Sequence, residues 1–417
     1  MTAEIAILNR TAVALAADSI VTLAGPRSSK TYDSAEKIFQ LSRYHPIGLM
    51  IYNNALFMNA PLEVIVRRYR ETITTVGFEG IVQVWPDFEK FLLGFEREKA
   101  DELEHFQGMV GSELNRFGDM LLKHMFDVVI GGKKKKKDAE PPEQFLARRI
   151  AERTAEAERR ILTPAYLEDI TFDQFVAEYG EHVDKAASER FQVFGVAVNA
   201  RLNESLNRLM LAILRSDIRS AAYTGLVFAG LGSKELFPTL FALELDGVYF
   251  GRARTMNRTL VDIDRRGETA AVVPFAQKDM PERFILGIDK RFEGALEKIA
   301  TSMVSDVVGQ AGDAFDEDQG ELIRAAAARQ FKDGLDQLKR NSEETLKTVV
   351  NHMSKKELGE VAFSLVELTS RKRRYSTDME TVGGPIDVAI LTRNEGFVWV
   401  RRKHYFDADL NPHYTPR

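Results

Sequence analysis

Hydrophobic positions open the chain in two short runs, Ala3 to Leu8 and Ala12 to Ala17, separated by the polar triplet Asn9-Arg10-Thr11. Apolar runs of this length around a polar turn predict a hairpin of two buried strands. A hairpin centred near Arg10 places Thr2 opposite Asp18, or one residue off, where paired residues lie about 5 Å apart. Ile38-Phe39-Gln40-Leu41 and Ile47 to Tyr52 are further runs of strand length. Pro61 then opens Leu62 to Arg70, and a proline in the first turn with basic residues late in the run predicts a helix.

The pattern changes over residues 81–220. Phe88, Leu92 and Phe95 recur at helical spacing, as do Leu103, Phe106, Val110, Leu114, Phe117 and Leu121. Gln144 to Ile161 reads as a charged helix, and Glu189 to Arg215 as one long helix with Phe194, Val198, Leu202, Leu206, Leu209 and Ile213 on one side. Strand runs return at Gly225 to Ala229. Thr239 to Leu245 and Val248 to Phe250 predict a hairpin turning at Asp246-Gly247. Helices over about 289–307 and 319–372 precede a last strand pair, Ile386 to Thr392 and Gly396 to Val400. The order predicts an α+β layered molecule whose sheets are completed by both ends of the chain. Its parts are 1–80, the helical segment 81–220, and 221–417.

Composition narrows the chemistry. The 417 residues are 44% hydrophobic and 29% charged, which provides ample material for a core. The formal net charge of -5 gives no global pull toward nucleic acid or anionic membrane. With no cysteine, disulfides, thiolate metal sites and cysteine catalysis are excluded. The seven histidines show no metal spacing. No apolar run approaches a membrane span, and the first residues carry a strand pattern rather than a signal core, so the compartment reads as cytoplasmic. Gly230-Leu231-Gly232-Ser233 lacks a phosphate-loop lysine and reads as a strand turn. The run Lys133 to Lys137, flanked by Gly131-Gly132 and Pro141-Pro142, reads as a solvated loop. No interleaved aromatics accompany it to suggest nucleic acid.

If Met1 is removed, Thr2 carries both a hydroxyl nucleophile and a free α-amine, which titrates near about 7.7–8.0 and can serve as its base. Three segments then stand in order: Thr2 with Val13 to Ser19 ending in Asp18-Ser19, Glu36-Lys37-Ile38-Phe39-Gln40-Leu41, and Gly383-Gly384-Pro385 running to Phe397. In these the sequence resembles the proteasome β-subunit family of N-terminal-nucleophile hydrolases. The resemblance implies a four-layer αββα sandwich, here with a large helical insertion. It makes Thr2 the nucleophile and its amine the general base. Lys37 would lower the pKa of the hydroxyl, and Asp18 would pair with Lys37 and orient it. Asp378 and Thr381 match, by spacing, an acid and a hydroxyl that support the amine.

Two departures stand out. Asn53 occupies the place of a glycine whose backbone N–H stabilises the oxyanion. The segment Val273 to Lys278 lacks the family's Gly-Ser-Gly stretch. The expected activity is cleavage of a peptide or other amide bond, with a peptide or protein as substrate and no metal or organic cofactor. A homo-oligomer is expected, with any unfoldase or regulatory partner unspecified. The rival expectation is a catalytically silent scaffold of the same fold used for assembly or partner binding.

Overall fold

A computed structural model of the chain describes residues 2–24, 29–32, 35–95, 98–130, 140–311, 314–376, 382–404 and 406. The opening hairpin forms as β1 (Ala3–Asn9) and β2 (Val13–Ala17), with Glu4 opposite Ala17 and Leu8 opposite Val13. The Asp18 N–H donates to the Ala3 carbonyl, so Asp18 faces Ala3, one residue from Thr2. The Asn9 side-chain oxygen fixes the turn by accepting from the Thr11 N–H, the Thr11 hydroxyl and the Ala12 N–H. Its amide donates to the carbonyls of Val350 and Met353, which ties the turn to the helices above it.

Two small ribbons follow the hairpin: β3 (Val21–Ala24) with β4 (Ser29–Tyr32), and β7 (Leu56–Phe57) with β8 (Ala60–Pro61). The other strands are β5 (Ile38–Gln40), β6 (Ile47–Asn53), β9 (Thr224–Gly230), β10 (Thr239–Tyr249), β11 (Arg252–Asp262), β12 (Ala270–Ala276), β13 (Asp387–Thr392) and β14 (Gly396–Arg401). With the hairpin they build two five-stranded antiparallel sheets. One runs β12-β1-β2-β13-β14 and so joins both ends of the chain; the other runs β11-β10-β9-β6-β5.

Alternation along each strand sorts side chains between two faces. Leu8, Val13, Leu15 and Leu391 of the first sheet pack on Met50, Val227, Ala229 and Leu240 of the second. A Cβ on Gly48 would meet Leu15 and Leu391 at 3.2 Å, so a glycine there lets the sheets close on one another. The outer face of the first sheet, with Ile5, Ile7, Ala14, Ala16 and Ile390, packs on Val350, Leu358, Ala362 and Leu365. The outer face of the second, with Leu49, Ile51, Leu226 and Phe228, packs on Ile65, Tyr69, Trp85 and Phe88. The helices covering that second face are α1 (Leu62–Thr72) and α2 (Val84–Gly94). Residues 81–95, which hydrophobic spacing groups with the helical segment, therefore carry Trp85, Phe88 and Leu92 onto a sheet.

The helical segment has its own core. It comprises α3 (Lys99–Ile130), α4 (Pro142–Glu158), the short α5 (Phe172–Phe175), α6 (Glu181–Gln192) and α7 (Ala200–Arg215). Phe106, Phe117, Tyr179, Phe191 and Leu209 meet in its interior. The stretch expected as one helix over Glu189 to Arg215 is broken between α6 and α7. Gly195 takes a φ of 70°, and the Asn199 side chain caps α7 by accepting from the Leu202 N–H at 2.9 Å. A side-chain acceptor that satisfies a first-turn donor restarts the helix there. The helix expected over 319–372 is likewise two. After α8 (Asp279–Leu286) and α9 (Lys290–Gln310) come α10 (Glu317–His352) and α11 (Lys355–Arg374), and Ser354 starts α11 with a capping box to Glu357.

A further correction concerns the second hairpin. Asp246 and Gly247 lie inside the continuous strand β10, where the pairing with β11 shifts register. The turn is Phe250-Gly251, with φ of 52° and 73°. Burial of Asp246 explains the difference. Its carboxylate accepts from the fully buried Arg254 and from Ser220, and so cannot face solvent at a turn. Arg254 also donates to the carbonyls of Ile213, Leu214, Ser216 and Ile218, and thereby fastens the end of α7 to the second sheet. Burial, the largest influence on Asp246, pushes its pKa up, but His105, Arg254 and Ser220 together hold it below the usual carboxylate range.

Candidate active site

Thr2 stands immediately before β1, and its carbonyl accepts from the Gln277 N–H at 3.1 Å. Gln277 follows β12, whose Ala276 pairs with Ala3 and takes a φ of 57°, a left-handed conformation that only a well-held non-glycine residue keeps. The segment Val273 to Lys278 thus runs beside Thr2. The even-numbered positions Ala6 and Leu8 of β1 point between the sheets, and alternation puts Thr2 and Glu4 on that same face.

Three of the expected residues come together. Lys37, in the segment leading into β5, donates from Nζ to Asp18 Oδ1 at 2.6 Å. The same Asp18 oxygen accepts from the Ala3 N–H at 3.1 Å, and its other oxygen accepts from the Gly383 N–H at 2.9 Å. Asp18 is therefore held by three donors from three parts of the chain. The Lys37 backbone is fixed in turn by its carbonyl, which accepts from the Ile51 N–H at 2.9 Å. Ser19 closes the corner, its N–H on the Gly383 carbonyl and its hydroxyl on the Pro385 carbonyl. The segment beginning Gly383-Gly384-Pro385 thereby reaches the site.

The fourth member is Glu4, which hydrophobic patterning did not single out. The Thr2 hydroxyl donates to Glu4 Oε2 at 2.9 Å, and Lys37 Nζ lies 3.6 Å from Glu4 Oε1. All four side chains are buried, Thr2 at 2% exposure. Burial, opposed by Lys37 and reinforced by the charge of Asp18, pushes the Glu4 carboxyl up to about 8. One ammonium serves two carboxyl groups, and the nearer carboxylate takes it. One signal in the sequence could have found Glu4: it is the only charged residue in an otherwise apolar strand.

Asn53 ends β6 with a φ of 69°, and its amide donates to the carbonyls of Ala221 and Tyr223. Among the described residues no hydrogen bond joins it to Thr2, Lys37 or Asp18. Asp378, Thr381 and the lysine run 133–137 lie outside the described residues. Beside Glu4 the site has an aromatic wall. Phe275 pairs with Glu4 across the sheet, and its ring lies 5.5 Å from that of Tyr52. Tyr52 in turn donates to Glu244.

The arrangement puts a hydroxyl against a carboxyl group, next to an ammonium fixed by a second carboxylate. An activated oxygen nucleophile needs a base beside its hydroxyl, and a nearby ammonium favours the alkoxide it forms. Among the described residues no group of three or more histidine, aspartate or glutamate side chains is placed to hold a metal ion, and no helix is long and apolar enough to cross a membrane. No protein-family model matches the chain, and no curated protein matches it.

Proposed function

We propose that this chain is a proteasome-like N-terminal threonine hydrolase that cleaves a peptide or other amide bond once Met1 is removed. The observation that carries the reading is the contact of Thr2 Oγ1 with Glu4 beside the Lys37–Asp18 pair, at the N-terminus of a strand between two sheets. The two facing sheets with helices on their outer faces support an N-terminal-nucleophile sandwich, and the α3–α7 unit is its insertion. In the proposed reaction Thr2 Oγ attacks the carbonyl carbon while its proton passes to the α-amine. The Lys37 charge favours the developing alkoxide. The proton then goes to the leaving amine as the C–N bond breaks, which leaves an ester on Thr2. Water attacks the ester and returns the proton to Oγ. The Asn53 backbone N–H is the proposed oxyanion donor.

One observation favours a silent scaffold instead: Thr2 is buried and its hydroxyl is already engaged by Glu4. Two measurements separate the readings. Intact mass shows whether Met1 is removed. A β-lactone probe, which opens to form an ester on a reactive hydroxyl, shows by peptide mapping whether Thr2 reacts. A mature protein that retains Met1 and gives no adduct on Thr2 would falsify the hydrolase reading. The proposed assembly is a homo-oligomer in the cytoplasm. Phe292, Ile299, Met303 and Val307 form an exposed apolar stripe along α9, which supports self-association.

A further inference from the structure

Residues of β5, β14 and α1 meet around a cavity of about 470 Å3 at the edge of the two sheets. Four arginines reach it: Arg43 from the turn after β5, Arg67 and Arg70 from α1, and Arg402 just beyond β14. Arg67 and Arg70 are three apart on the helix, so they share a face. The acidic residues at the cavity are Glu36 and Glu71. Glu36 is divided between Arg67 and Arg402, at 3.4 Å from each. Arg67 is also paired with Glu63, at 2.6 Å, so among the described residues Arg43, Arg70 and Arg402 stand around the concave space beside Glu36 and Glu71.

The positive charges act on one another. Burial and then the charges of Arg43, Arg402 and Arg67 lower the pKa of Arg70 from its ordinary value. Gathering like charges in a recess costs stability, and an entering anion recovers it. Arg402 lies over the Trp399 ring at 4.8 Å. That stack occupies the face of the guanidinium and leaves its N–H edges for in-plane acceptors. The Arg70 fork is steadied by Gln40, whose side-chain oxygen it reaches at 3.3 Å.

We propose that this cavity binds a small ligand through a multiply charged phosphate group, a phosphate ester or pyrophosphate, held by Arg43, Arg70 and Arg402. Guanidinium forks match the oxygens of phosphate two at a time. The volume falls within the range of about 300–1,000 Å3 of small-molecule sites. The proposal is independent of any chemistry at Thr2.

The test is isothermal titration of the full chain with sodium pyrophosphate at fixed ionic strength, with thermal melting as a second readout. Saturable binding and a rise in melting temperature are expected for the unaltered chain. Both should weaken by at least about tenfold in apparent affinity in Arg70→Gln and Arg402→Gln. Arg43→Ala, at an exposed position where folding is not at issue, should weaken binding as well. Absence of saturable binding by the unaltered chain overturns the proposal. So does undiminished binding in all three variants, or equal affinity for sulfate and pyrophosphate.

Discussion

In the proposed mechanism a single oxygen, that of the Thr2 hydroxyl, separates activity from its absence. Thr2→Ala is expected to abolish hydrolysis and probe esterification while the melting temperature stays within a few degrees of the original. Thr2→Ser should keep part of the activity, because hydroxyl and amine both remain. Turnover in Thr2→Ala near that of the unaltered chain would sink the proposed mechanism. Lys37→Met and Asp18→Asn should each lower kcat/KM by at least about a hundredfold. The two share one 2.6 Å contact, so the double variant should lose little more than either single one. Fully multiplicative losses would show that the residues act separately. Glu4 makes a different prediction. Its folded-state pKa is raised from 4.5 to about 8, so the folded state keeps a proton that the unfolded chain gives up. Stability should therefore fall as pH rises from 4.5 toward 8. Glu4→Gln cannot titrate and should flatten this part of the curve. Denaturant titrations at several pH values check the point, and an unchanged slope in Glu4→Gln would count against it.

Between elements, the decisive contacts are polar ones buried in places where apolar packing alone would leave orientation free. Arg254 holds Asp246 within β10 and four carbonyls at the end of α7. Removing such a cation strands a buried carboxylate and several acceptors, and breaking a buried pair costs about 3–5 kcal/mol. Arg254→Met is accordingly expected to destabilise the protein on that scale, and to loosen α7 before the sheets. Urea denaturation measures the first effect, and amide exchange over residues 200–218 against β1 and β2 measures the second. A loss below about 1 kcal/mol would mean that the carbonyls find other donors. Within the first turns of α11, Gly359 permits the close approach of that helix to the first sheet. A Cβ there would meet Ile390 at 3.1 Å.

Across the whole molecule, the long helices differ in how far their apolar stripes are covered. The stripes of α3, α4, α6 and α7 are spent on one another in a separate core. The uncovered stripe lies on α9, where Val307 is 67% exposed and the helix buries no residue. If this face mediates self-association, Ile299→Glu with Val307→Glu should convert an oligomer to a monomer without lowering the melting temperature by more than a few degrees. Multi-angle light scattering at micromolar concentration decides it. A monomer before substitution would remove the homo-oligomer from the proposal.

The sequence by itself determined the elements and part of the site. Strand runs such as Ile5 to Leu8 and Val13 to Ala17 are too short and too apolar to stand anywhere but in a buried sheet, and the polar triplet between them sets the register that brings Asp18 beside Ala3. The grouping of Thr2 with Asp18 and Lys37 came from the resemblance to a known family; in the fold Lys37 meets Asp18, and Glu4 links Lys37 to Thr2. Boundaries were less legible, because Asn199 and Ser354 start new helices by a local hydrogen bond that hydrophobic spacing does not register. Only the tertiary structure decided what Glu4 touches. A lone acid in an apolar strand has no partner within the sequence; its meaning comes from Thr2 two residues before it and Lys37 thirty-three residues after it. The same holds for Asp246, whose neighbour Gly247 reads as a turn until Arg254 is seen to bury the pair. A period of two or 3.6 specifies which face a residue takes. Which charges share that face is fixed only when distant segments pack, and burial then sets the energy of each charge.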